Sequence, residues 1–517
     1  MTVHLVGAGP GDPGLLTLRG AELLASADVV VVDRLVDPRV VALAKPGAVL
    51  IDVGKRPGQL QRQQDINDLL VEHARSGRRV VRLKGGDPFL FGRGGEEAAA
   101  LRQAGMAFEV VPGVSSAIAA PAYAGIPVTH RGIASSVTVV TGHVDDGGGT
   151  PSVDWESLAR AGGTLVVLMG MATRTEIARR LVSGGRPAST PVAVVSWGTT
   201  PAQQVVRTTL GELGEVDLGP PSAIVVGGVA ALDLSWFGRR PLHGLSTVVT
   251  RPRAQSARLV SALSHAGAEV VELPAIAVVD PEDCGAGLRR ELRDVGSYDW
   301  IVITSVNAAR RVLDALDDIR DLAGVKLAAA GPATASLLRS WRLTVDLVPR
   351  VAGAAPLAEA MPPFAPRSDG LVGSGTTPEA ARAKQPTGKI LFPRAHEARD
   401  ELPAGLRSKG WSVSEVEAYR TVPASSVEEP DPRAIERSAR AGIAVFASPS
   451  AVTSYVSMHG GAAVPGYAAC IGPTTAAAAG EAGFSVEVVP ASPRPEELVD
   501  ALSRWWSSRR PPEEVLQ

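Results

Sequence analysis

Nine short apolar runs in the first 230 residues constrain the fold of this chain more than any other feature of its sequence. Each run has three to five residues, and stretches with helical apolar spacing lie between them. The predicted strands are Thr2–Val6, Val29–Val32, Val49–Val53, Val80–Leu83, Phe108–Val111, Val137–Val140, Leu165–Met169, Val192–Val195 and Ile224–Val226. Because strands that alternate with helices form parallel sheets covered on both faces, we predict an α/β fold.

The series of strands is interrupted at two places. Pro121–Arg131 breaks the alternation midway, which predicts two α/β subdomains split near residues 115–130. The pattern stops again at Leu232–Gly244, and a new strand begins at Thr247. Since 517 residues are too many for one hydrophobic core, we predict a first domain over 1–235, a linker over 236–244 and further domains beyond it.

The second half contains an internal repeat at a spacing of 141 residues. The segments that match at this offset are Gly331–Ala335 with Gly472–Ala476, Val345–Pro349 with Val486–Pro490, and Pro252–Ala254 with Pro393–Ala395. Within each copy a strand that ends in serine leads into a helix. The simplest interpretation is two equivalent α/β domains that face each other across a cleft lined by hydroxyl groups.

Composition sets two other segments of the second half apart. Residues 350–388 are rich in Pro, Gly, Ser and Ala, which predicts a flexible surface insertion between the two copies. Residues 506–517 follow the last repeat segment and are predicted to be a tail.

The stretch Arg82–Glu97, R-L-K-G-G-D-P-F-L-F-G-R-G-G-E-E, is the first candidate binding site. It follows a predicted buried strand, and open α/β sheets bind ligands at the carboxyl ends of their strands. Its four glycines permit close approach of the backbone to a ligand. From residue 78 to residue 93, five basic residues against one acidic residue give a local charge of +4, which predicts an anionic ligand.

The loop Gly7–Gly14 after the first strand is similar to a dinucleotide-binding loop but lacks its chemistry. Asp12 stands where the third glycine of G-x-G-x-x-G is needed, and Pro10 and Pro13 have no N–H for a phosphate. We therefore expect neither dehydrogenase nor metal-chelatase activity from this chain.

Composition argues against several other classes of protein. The two cysteines, Cys284 and Cys470, are far apart, and the eight histidines form no ligand motif, so we predict no metal. A net charge of −2 argues against a general nucleic-acid binder. No signal peptide and no bilayer-spanning apolar run are evident, so we expect a cytoplasmic protein without a membrane partner.

The first 235 residues resemble the uroporphyrinogen-III C-methyltransferase family. The motifs that carry this resemblance are Val6–Leu18, Asp33–Val36, Val53–Arg56, Arg82–Glu97, Pro112–Ala117, Ala124–Arg131, Thr141–His143 and Leu168–Gly170. The resemblance implies S-adenosylmethionine as cofactor, bound between two α/β domains. It also implies two methylations of uroporphyrinogen-III, at C2 and C7, to give precorrin-2, and a homodimer formed through this half.

The same resemblance implies roles for individual residues. The positions implied to contact the cofactor are Pro10, Gly85, Gly86, Asp87, Leu90, Ser115, Ser116, Met169 and Gly198. Asp33 and Lys55 are implied as acid and base, with Arg93 and Glu96 near the substrate. From the residues alone, Asp33 as a helix-capping or turn carboxylate, and Lys55 as a surface cation, are equally plausible.

Residues 245–505 resemble the uroporphyrinogen-III synthase family. The motifs are Thr250–Pro252, Ile303–Ala308, Gly331–Ala335, Val416–Thr421, Phe446–Ala451 and Ile471–Ala476. The resemblance implies one domain from 245–278 with 423–505, another from 279–422, and a two-stranded connector. It implies cyclisation of hydroxymethylbilane to uroporphyrinogen-III with inversion of the last ring.

Loss of the bilane hydroxyl gives a stabilised cation, so this half has to orient a flexible polyanion and assist the leaving group. Tyr419 is the candidate proton donor. The candidate substrate-binding residues are Arg253, Ser305, Thr334, Arg394, Ser448 and Thr475. Each hydroxyl lies where a strand meets a helix, so helix capping is the competing interpretation.

Two alternatives remain open at this point. The first half could methylate another tetrapyrrole intermediate, and the second half could be a non-catalytic module that binds a tetrapyrrole. The sequence does not decide whether the product leads to sirohaem or cobalamin.

Overall fold

The computed structural model describes residues 2–54, 63–143, 153–365, 387–397, 400–492 and 494–509. The chain divides into two compact units, formed mainly by the first 246 residues and by residues 247–498. Four five-stranded sheets supply the framework, which confirms the α/β fold class. Among the described residues, no helix combines the length and the apolar character that crossing a membrane requires.

The first sheet is entirely parallel, as predicted, with strand order β3-β2-β4-β1-β5. Its strands are β1 Thr2–Gly7, β2 Val29–Val32, β3 Val49–Asp52, β4 Val80–Lys84 and β5 Ala107–Val111. The helices of this part are α1 Leu18–Ser26, α2 Pro38–Val41, α3 Gln63–Arg75, α4 Gly94–Gln103 and α5 Ser116–Tyr123. Strand β4 is buried along its whole length, so the loop after it starts from a fixed position.

The second sheet is mixed, which corrects the prediction of a parallel sheet here. Its strands are β6 Val137–Thr141, β7 Thr164–Leu168, β8 Pro191–Ser196, β9 Gln204–Thr209 and β10 Ser222–Val226, with helices α6 Trp155–Arg160 and α7 Arg174–Ser183. Only β6 and β7 pair in parallel, whereas β10 is antiparallel to both β7 and β8, and β9 is antiparallel to β8. Strand β9 was not among the predicted strands.

Residues 236–244, predicted as a linker, pack into the first unit. Phe237 and Leu242 are almost fully buried, and the indole N–H of Trp236 donates to the carbonyl oxygen of Ala122 over 3.0 Å. This segment is therefore part of the hydrophobic core and not an extended spacer.

The third sheet, β12-β11-β18-β19-β20, combines the start and the end of the second half. Its strands are β11 Ser246–Val249, β12 Glu269–Glu272, β18 Ile443–Phe446, β19 Tyr467–Cys470 and β20 Ser485–Val488. Its helices are α8 Arg253–His265, α14 Pro432–Ala439, α15 Pro449–Met458, α16 Pro473–Glu481 and α17 Pro495–Ser507.

The fourth sheet, β13-β17-β16-β14-β15, contains the intervening residues. Its strands are β13 Ile276–Val279, β14 Trp300–Ile303, β15 Lys326–Ala329, β16 Lys389–Ala395 and β17 Ser412–Pro423. Its helices are α9 Ala286–Arg293, α10 Val306–Ala315, α11 Pro332–Ser340, α12 Ala354–Ala360 and α13 Glu401–Ser408. Strand β13 is antiparallel to β17, and the other pairs are parallel.

The segment 350–388 was predicted to be a flexible surface insertion, and this prediction is wrong for its first part, which contains a packed helix. Helix α12 lies inside it, and both Leu357 of this helix and Met361 directly after it are buried in the core beside the fourth sheet. The apolar residues within this Pro- and Ala-rich stretch are sufficient to dock one helix. Residues 366–386 lie outside the described part of the chain.

Candidate active sites

Three loops meet at the carboxyl ends of β1, β4 and β5 and touch through glycine. A Cβ atom on Gly113 would lie 2.2 Å from the carbonyl oxygen of Gly86 and 2.7 Å from Cα of Gly7. Gly9 and Gly86 also bond to each other through their backbones, with a distance of 2.7 Å from Gly86 N to Gly9 O. The backbones pack this closely only because these residues have no side chain.

Asp87 holds two of these loops together. Its Oδ1 accepts the N–H of Phe89 over 2.8 Å, and its Oδ2 accepts the N–H of Gly113 over 2.9 Å. The family resemblance implied that Asp87 contacts the cofactor. In the structure each oxygen already bonds to the backbone, so the role of Asp87 is to fix the loop geometry.

The positions implied to contact a cofactor come from both sheets of the first unit. Ser115 caps α5 by accepting the N–H of Ala117, and a Cβ on Gly86 would lie 4.0 Å from Cα of Ser115. Gly198 follows β8, and a Cβ there would lie 2.4 Å from Cβ of Ala120 in α5. The structure thus brings the Gly85–Asp87 turn, the start of α5 and the end of β8 together.

A closed ring of hydrogen bonds joins the first loop to the second sheet. The N–H of Asp12 donates to Oγ1 of Thr199, whose N–H donates to Oε1 of Gln203. Nε2 of Gln203 donates to the carbonyl of Tyr123, and the Tyr123 hydroxyl returns to Oδ2 of Asp12 over 2.9 Å. Burial and the Asp12 carboxylate raise the pKa of Tyr123, so this phenol remains a donor.

Several residues around these loops have a left-handed backbone. Met169 and Trp197, which directly follow β7 and β8, have φ values of 55° and 49°, and both side chains are about half exposed. Thr199 has a φ of 71° and belongs to the hydrogen-bonded ring. Non-glycine residues persist in this region where the surrounding structure holds them, and such residues cluster at functional sites.

Asp33 lies directly after β2, and its carboxylate faces two buried cations of β4, Arg82 and Lys84. Its Oδ1 is 2.5 Å from Nη2 of Arg82, and its Oδ2 is 3.9 Å from Nζ of Lys84. One third of the Asp33 side chain is exposed. Lys55, its predicted partner, lies outside the described residues.

The charge of +4 assigned to this stretch needs correction. Arg82 and Lys84 are buried and pair with Asp33 and Glu97, so their charges do not reach a ligand as free cations. Burial and the neighbouring Arg82 cation lower the pKa of Lys84.

Arg93 and Glu96, in contrast, lie at the surface at the start of α4. Two hydrogen bonds of 2.8 and 2.7 Å join the guanidinium to the carboxylate, and each side chain is about half exposed. The Arg93 cation lowers the pKa of Glu96. The pair is placed where a substrate could reach it.

In the second unit, five helices begin directly after the carboxyl ends of parallel strands. Helices α10 and α11 follow β14 and β15 of the fourth sheet, and helices α8, α15 and α16 follow β11, β18 and β19 of the third sheet. A hydrogen bond of 2.8 Å from Gln255 Nε2 to Asn307 Oδ1 joins the start of α8 to the start of α10. Helix starts favour anions because their first N–H groups are unpaired.

The predicted hydroxyl residues divide into two kinds. Ser305 and Ser448 cap α10 and α15, because their Oγ atoms accept the N–H of Ala308 and Ala451. Thr334 and Thr475 lie in the first turns of α11 and α16, but only 4 and 5 % of each residue is exposed. Helix capping is therefore confirmed for both serines, and burial argues against direct ligand contact by both threonines.

Tyr419 lies in β17 and is nearly buried, with 8 % of the residue exposed. Its hydroxyl is 3.0 Å from Oγ of Ser305. The ring packs in the core of the fourth sheet, so only the hydroxyl end is positioned for chemistry.

The two predicted arginines differ in environment. Arg253 is exposed at the start of α8. Arg394 pairs with Asp400 over 3.0 Å and with Glu415, and it lines a cavity of about 210 Å³ that also contains Glu417. Because this cavity is rich in carboxylates, the structure argues against the prediction that Arg394 binds a propionate.

Arg251, two residues before the predicted Arg253, is a further candidate for binding the substrate. It is partly buried after β11, and it makes no hydrogen bond or ion pair with any described residue. Burial lowers the pKa of its guanidinium. A partly desolvated cation without an acidic partner would be stabilised by an anionic ligand.

Comparison with known proteins places each half of the chain. Residues 2–214 match the family model of tetrapyrrole (corrin/porphyrin) methylases, and residues 257–500 match that of uroporphyrinogen-III synthase HemD. A porphyrin biosynthesis protein HemD of Ruminiclostridium josui is 42% identical over 360 residues, which are 68% of this chain and 71% of that protein. A uroporphyrinogen-III C-methyltransferase of Bacillus subtilis is 40% identical over 358 residues, 67% of this chain and 73% of that protein.

Other relatives match the first half of the chain. A siroheme synthase of Tolumonas auensis is 52% identical over 241 residues, 46% of this chain and 51% of that protein. The crystal structure of a uroporphyrin-III C-methyl transferase from Thermus thermophilus, complexed with S-adenyl homocysteine, is 45% identical. It covers 45% of this chain and 94% of its own, with a TM-score of 0.40.

Proposed function

Because this chain belongs to the tetrapyrrole methylases in its first half and to the uroporphyrinogen-III synthases in its second, we propose that it catalyses two consecutive reactions. The second half cyclises hydroxymethylbilane to uroporphyrinogen-III. The first half methylates this product at C2 and C7 to give precorrin-2. The domain boundaries proposed for these activities are 1–235 and 245–505.

The main structural support for the proposed methylation is the contact of three loops through glycine. Gly85 and Gly86 leave the space between these loops open, and Ser115 and Gly198 border it. The similar Thermus enzyme was crystallised with S-adenyl homocysteine, and we assign S-adenosylmethionine to this space. When bound, this cofactor supplies an electrophilic methyl group.

The residues of the chain then have limited chemistry to perform. A pyrrole carbon is already a nucleophile, so the protein has to align it with the methyl group and remove a proton afterwards. We assign proton removal to Asp33 with Lys55, and binding of substrate carboxylates to Arg93 with Glu96. The exposed third of the Asp33 side chain and the surface position of Arg93 support these roles.

Product analysis of the purified chain tests the whole proposal. Hydroxymethylbilane alone should give uroporphyrinogen-III, and added S-adenosylmethionine should convert it to a dimethylated product. Added NAD and ferrous iron should change nothing further. Cyclisation without ring inversion would refute the synthase assignment, and a different methylated tetrapyrrole would favour the alternative methyltransferase.

The compartment and the oligomeric state are also proposals. The two described cysteines are unpaired, Cys284 exposed and Cys470 buried, as is usual for a protein of the reducing cytoplasm. We propose a homodimer formed through the first half. Light scattering of the purified chain, and of the chain with a charge placed on the edge strand β5 at Phe108, would test it.

Tyr123→Phe should weaken S-adenosylmethionine binding about tenfold and leave cyclisation unchanged. The substitution opens the hydrogen-bonded ring at Asp12 and leaves a carboxylate oxygen without its donor, a loss of about 1–2 kcal/mol. Calorimetry of cofactor binding measures the effect. Tyr298→Phe, which removes a phenol bonded to Glu291 in the second half, is the matched control and should leave cofactor affinity unchanged.

Arg251→Ala should raise the KM for hydroxymethylbilane about tenfold, because a charge-assisted hydrogen bond to a carboxylate contributes about 1.5–3 kcal/mol. The kcat should change less, and methylation of supplied uroporphyrinogen-III should not change. Arg258→Ala in the same helix region is the control, since this exposed guanidinium pairs with Glu496 over 2.7 Å. An unchanged KM would assign Arg251 to the structure alone.

A further inference from the structure

Four charged residues form a cluster beneath the loops of the first site, which we call the buried charge cluster. Arg82 and Lys84 point from β4, Glu97 belongs to α4, and Asp33 follows β2. Arg82, Lys84 and Glu97 are each at most 2 % exposed. Burial of charge costs free energy unless every group is paired, so the pairing within this cluster determines whether it is tolerated.

Glu97 is the inner anchor of the cluster. Its Oε1 accepts hydrogen bonds from Arg82 Nε over 3.0 Å, from Lys84 Nζ over 2.8 Å and from Gln63 Nε2 over 3.3 Å. Its Oε2 is buried and has no hydrogen-bond partner among the described residues. One carboxylate oxygen thus holds both cations at once.

Arg82 connects this anchor to Asp33. Nη1 of Arg82 donates to the carbonyl oxygens of Val31 and Leu83, over 3.3 and 3.4 Å, so the plane of the guanidinium is fixed. Nη2 then reaches Oδ1 of Asp33 over 2.5 Å. The guanidinium has a separate N–H for each of these partners, which a lysine ammonium at this position could not reproduce.

Asp33 is the member of the cluster that reaches the surface, with one third of its side chain exposed. Arg82 occupies one carboxylate oxygen, and Lys84 is 3.9 Å from the other. Residual lone pairs of this carboxylate therefore face outwards in a fixed direction.

We propose that Arg82, anchored by Glu97, is the positioning residue that aims the Asp33 carboxylate at the methylation substrate. The inference rests on the proposed function, in which Asp33 removes a proton. A purely stabilising role would not require this arrangement, because replacing a buried ion pair with apolar residues of similar volume is often neutral or stabilising. A general base has to lie within hydrogen-bonding reach of its proton, which a fixed guanidinium ensures.

A double-mutant cycle on methylation of supplied uroporphyrinogen-III tests the proposal. Asp33→Asn should lower kcat about a hundredfold, at the lower end of the usual effect of a general base. Arg82→Lys keeps the charge but loses the fork, and it should lower kcat about tenfold with the KM of both substrates within about twofold. The double variant should be no slower than Asp33→Asn, because Arg82 acts through Asp33.

Other outcomes of this cycle overturn the inference, and they separate it from the proposed function. If Asp33→Asn methylates at the normal rate, the assignment of Asp33 fails and the inference fails with it. The second outcome is that Asp33→Asn methylates slowly and the double variant is a further tenfold slower than Asp33→Asn alone. In that case only the positioning role of Arg82 is wrong. Unchanged KM values for both methylation substrates show that the first unit remains folded, and cyclisation by the same molecules shows this for the second unit.

A second variant covers the case in which Arg82→Lys does not fold. Glu97→Gln keeps the volume of this side chain and weakens its ion pair with Arg82. Alone it should lower kcat about threefold, and added to Asp33→Asn it should not lower kcat further. An equal effect in both backgrounds would overturn the proposal. Arg79→Lys, at the exposed arginine before β4 that lies 3.6 Å from Asp28, is the matched control and should methylate normally.

Discussion

Asp87→Ala should reduce S-adenosylmethionine affinity by about a hundredfold or more. The carboxylate accepts the N–H groups of Phe89 and Gly113, which belong to the loops after β4 and β5. Removal leaves two backbone donors without acceptors, each at a cost of about 1–3 kcal/mol, and it releases one loop from the other. The glycine contacts between the loops depend on this alignment.

Calorimetry of cofactor binding and the rate of methylation measure the effect, with cyclisation by the same chain as an internal control. Asp87→Asn retains one acceptor oxygen but places an NH₂ group near the other N–H, so we expect an intermediate loss. Unchanged cofactor affinity in Asp87→Ala would show that the glycine contacts alone hold the loops.

The sequence predicted most strands of the first unit because apolar runs reveal buried strands regardless of their partners. Nine predicted strands correspond to β1 to β8 and β10, with ends that differ by at most two residues. Strand β9 escaped because only two of its six residues, Val205 and Val206, are strongly apolar, and because it lies at the edge of its sheet. Its connection to β8 spans only seven residues, which is too short for a crossover helix and makes the pair antiparallel.

The locations of the candidate sites followed from the sequence, but the bonds within them did not. Glycine-rich turns at the ends of predicted strands indicated where a ligand would bind. In contrast, Tyr123 is 111 residues from Asp12, and Arg82 is 49 residues from Asp33. Such pairs depend on strand order and side-chain direction, and a single sequence contains neither in readable form.

The charge of the first site could likewise not be predicted from the sequence alone. Arg82 and Lys84 alternate along β4 and therefore point to the same side of the sheet, which the strand period predicts. That this side is the interior, with Glu97 beneath it, depends on the packing of α4. A count of charges along the chain consequently overestimated the positive charge offered to a ligand.

Tyr419→Phe should slow formation of uroporphyrinogen-III from hydroxymethylbilane about a hundredfold and leave methylation of supplied uroporphyrinogen-III unchanged. Its hydroxyl lies 3.0 Å from Oγ of Ser305, and Ser305 already accepts the N–H of Ala308. The Ser305 proton can therefore be donated to Tyr419, which directs the phenol proton towards the leaving hydroxyl. General acid catalysis contributes about 10²- to 10⁴-fold, and the bilane loses its hydroxyl readily, so we expect the lower value.

The ring of Tyr419 packs in the core of the fourth sheet, and phenylalanine preserves that packing. The free energy of unfolding should therefore fall by only about 1 kcal/mol, for the lost bond to Ser305. Ser305→Ala is the matched variant, since it breaks the same pair but keeps the phenol. It should slow cyclisation about tenfold if Ser305 orients the proton. If Tyr419→Phe cyclises within about threefold of the unsubstituted chain, its hydroxyl serves the structure, and orientation by the helix starts and Arg251 has to account for catalysis.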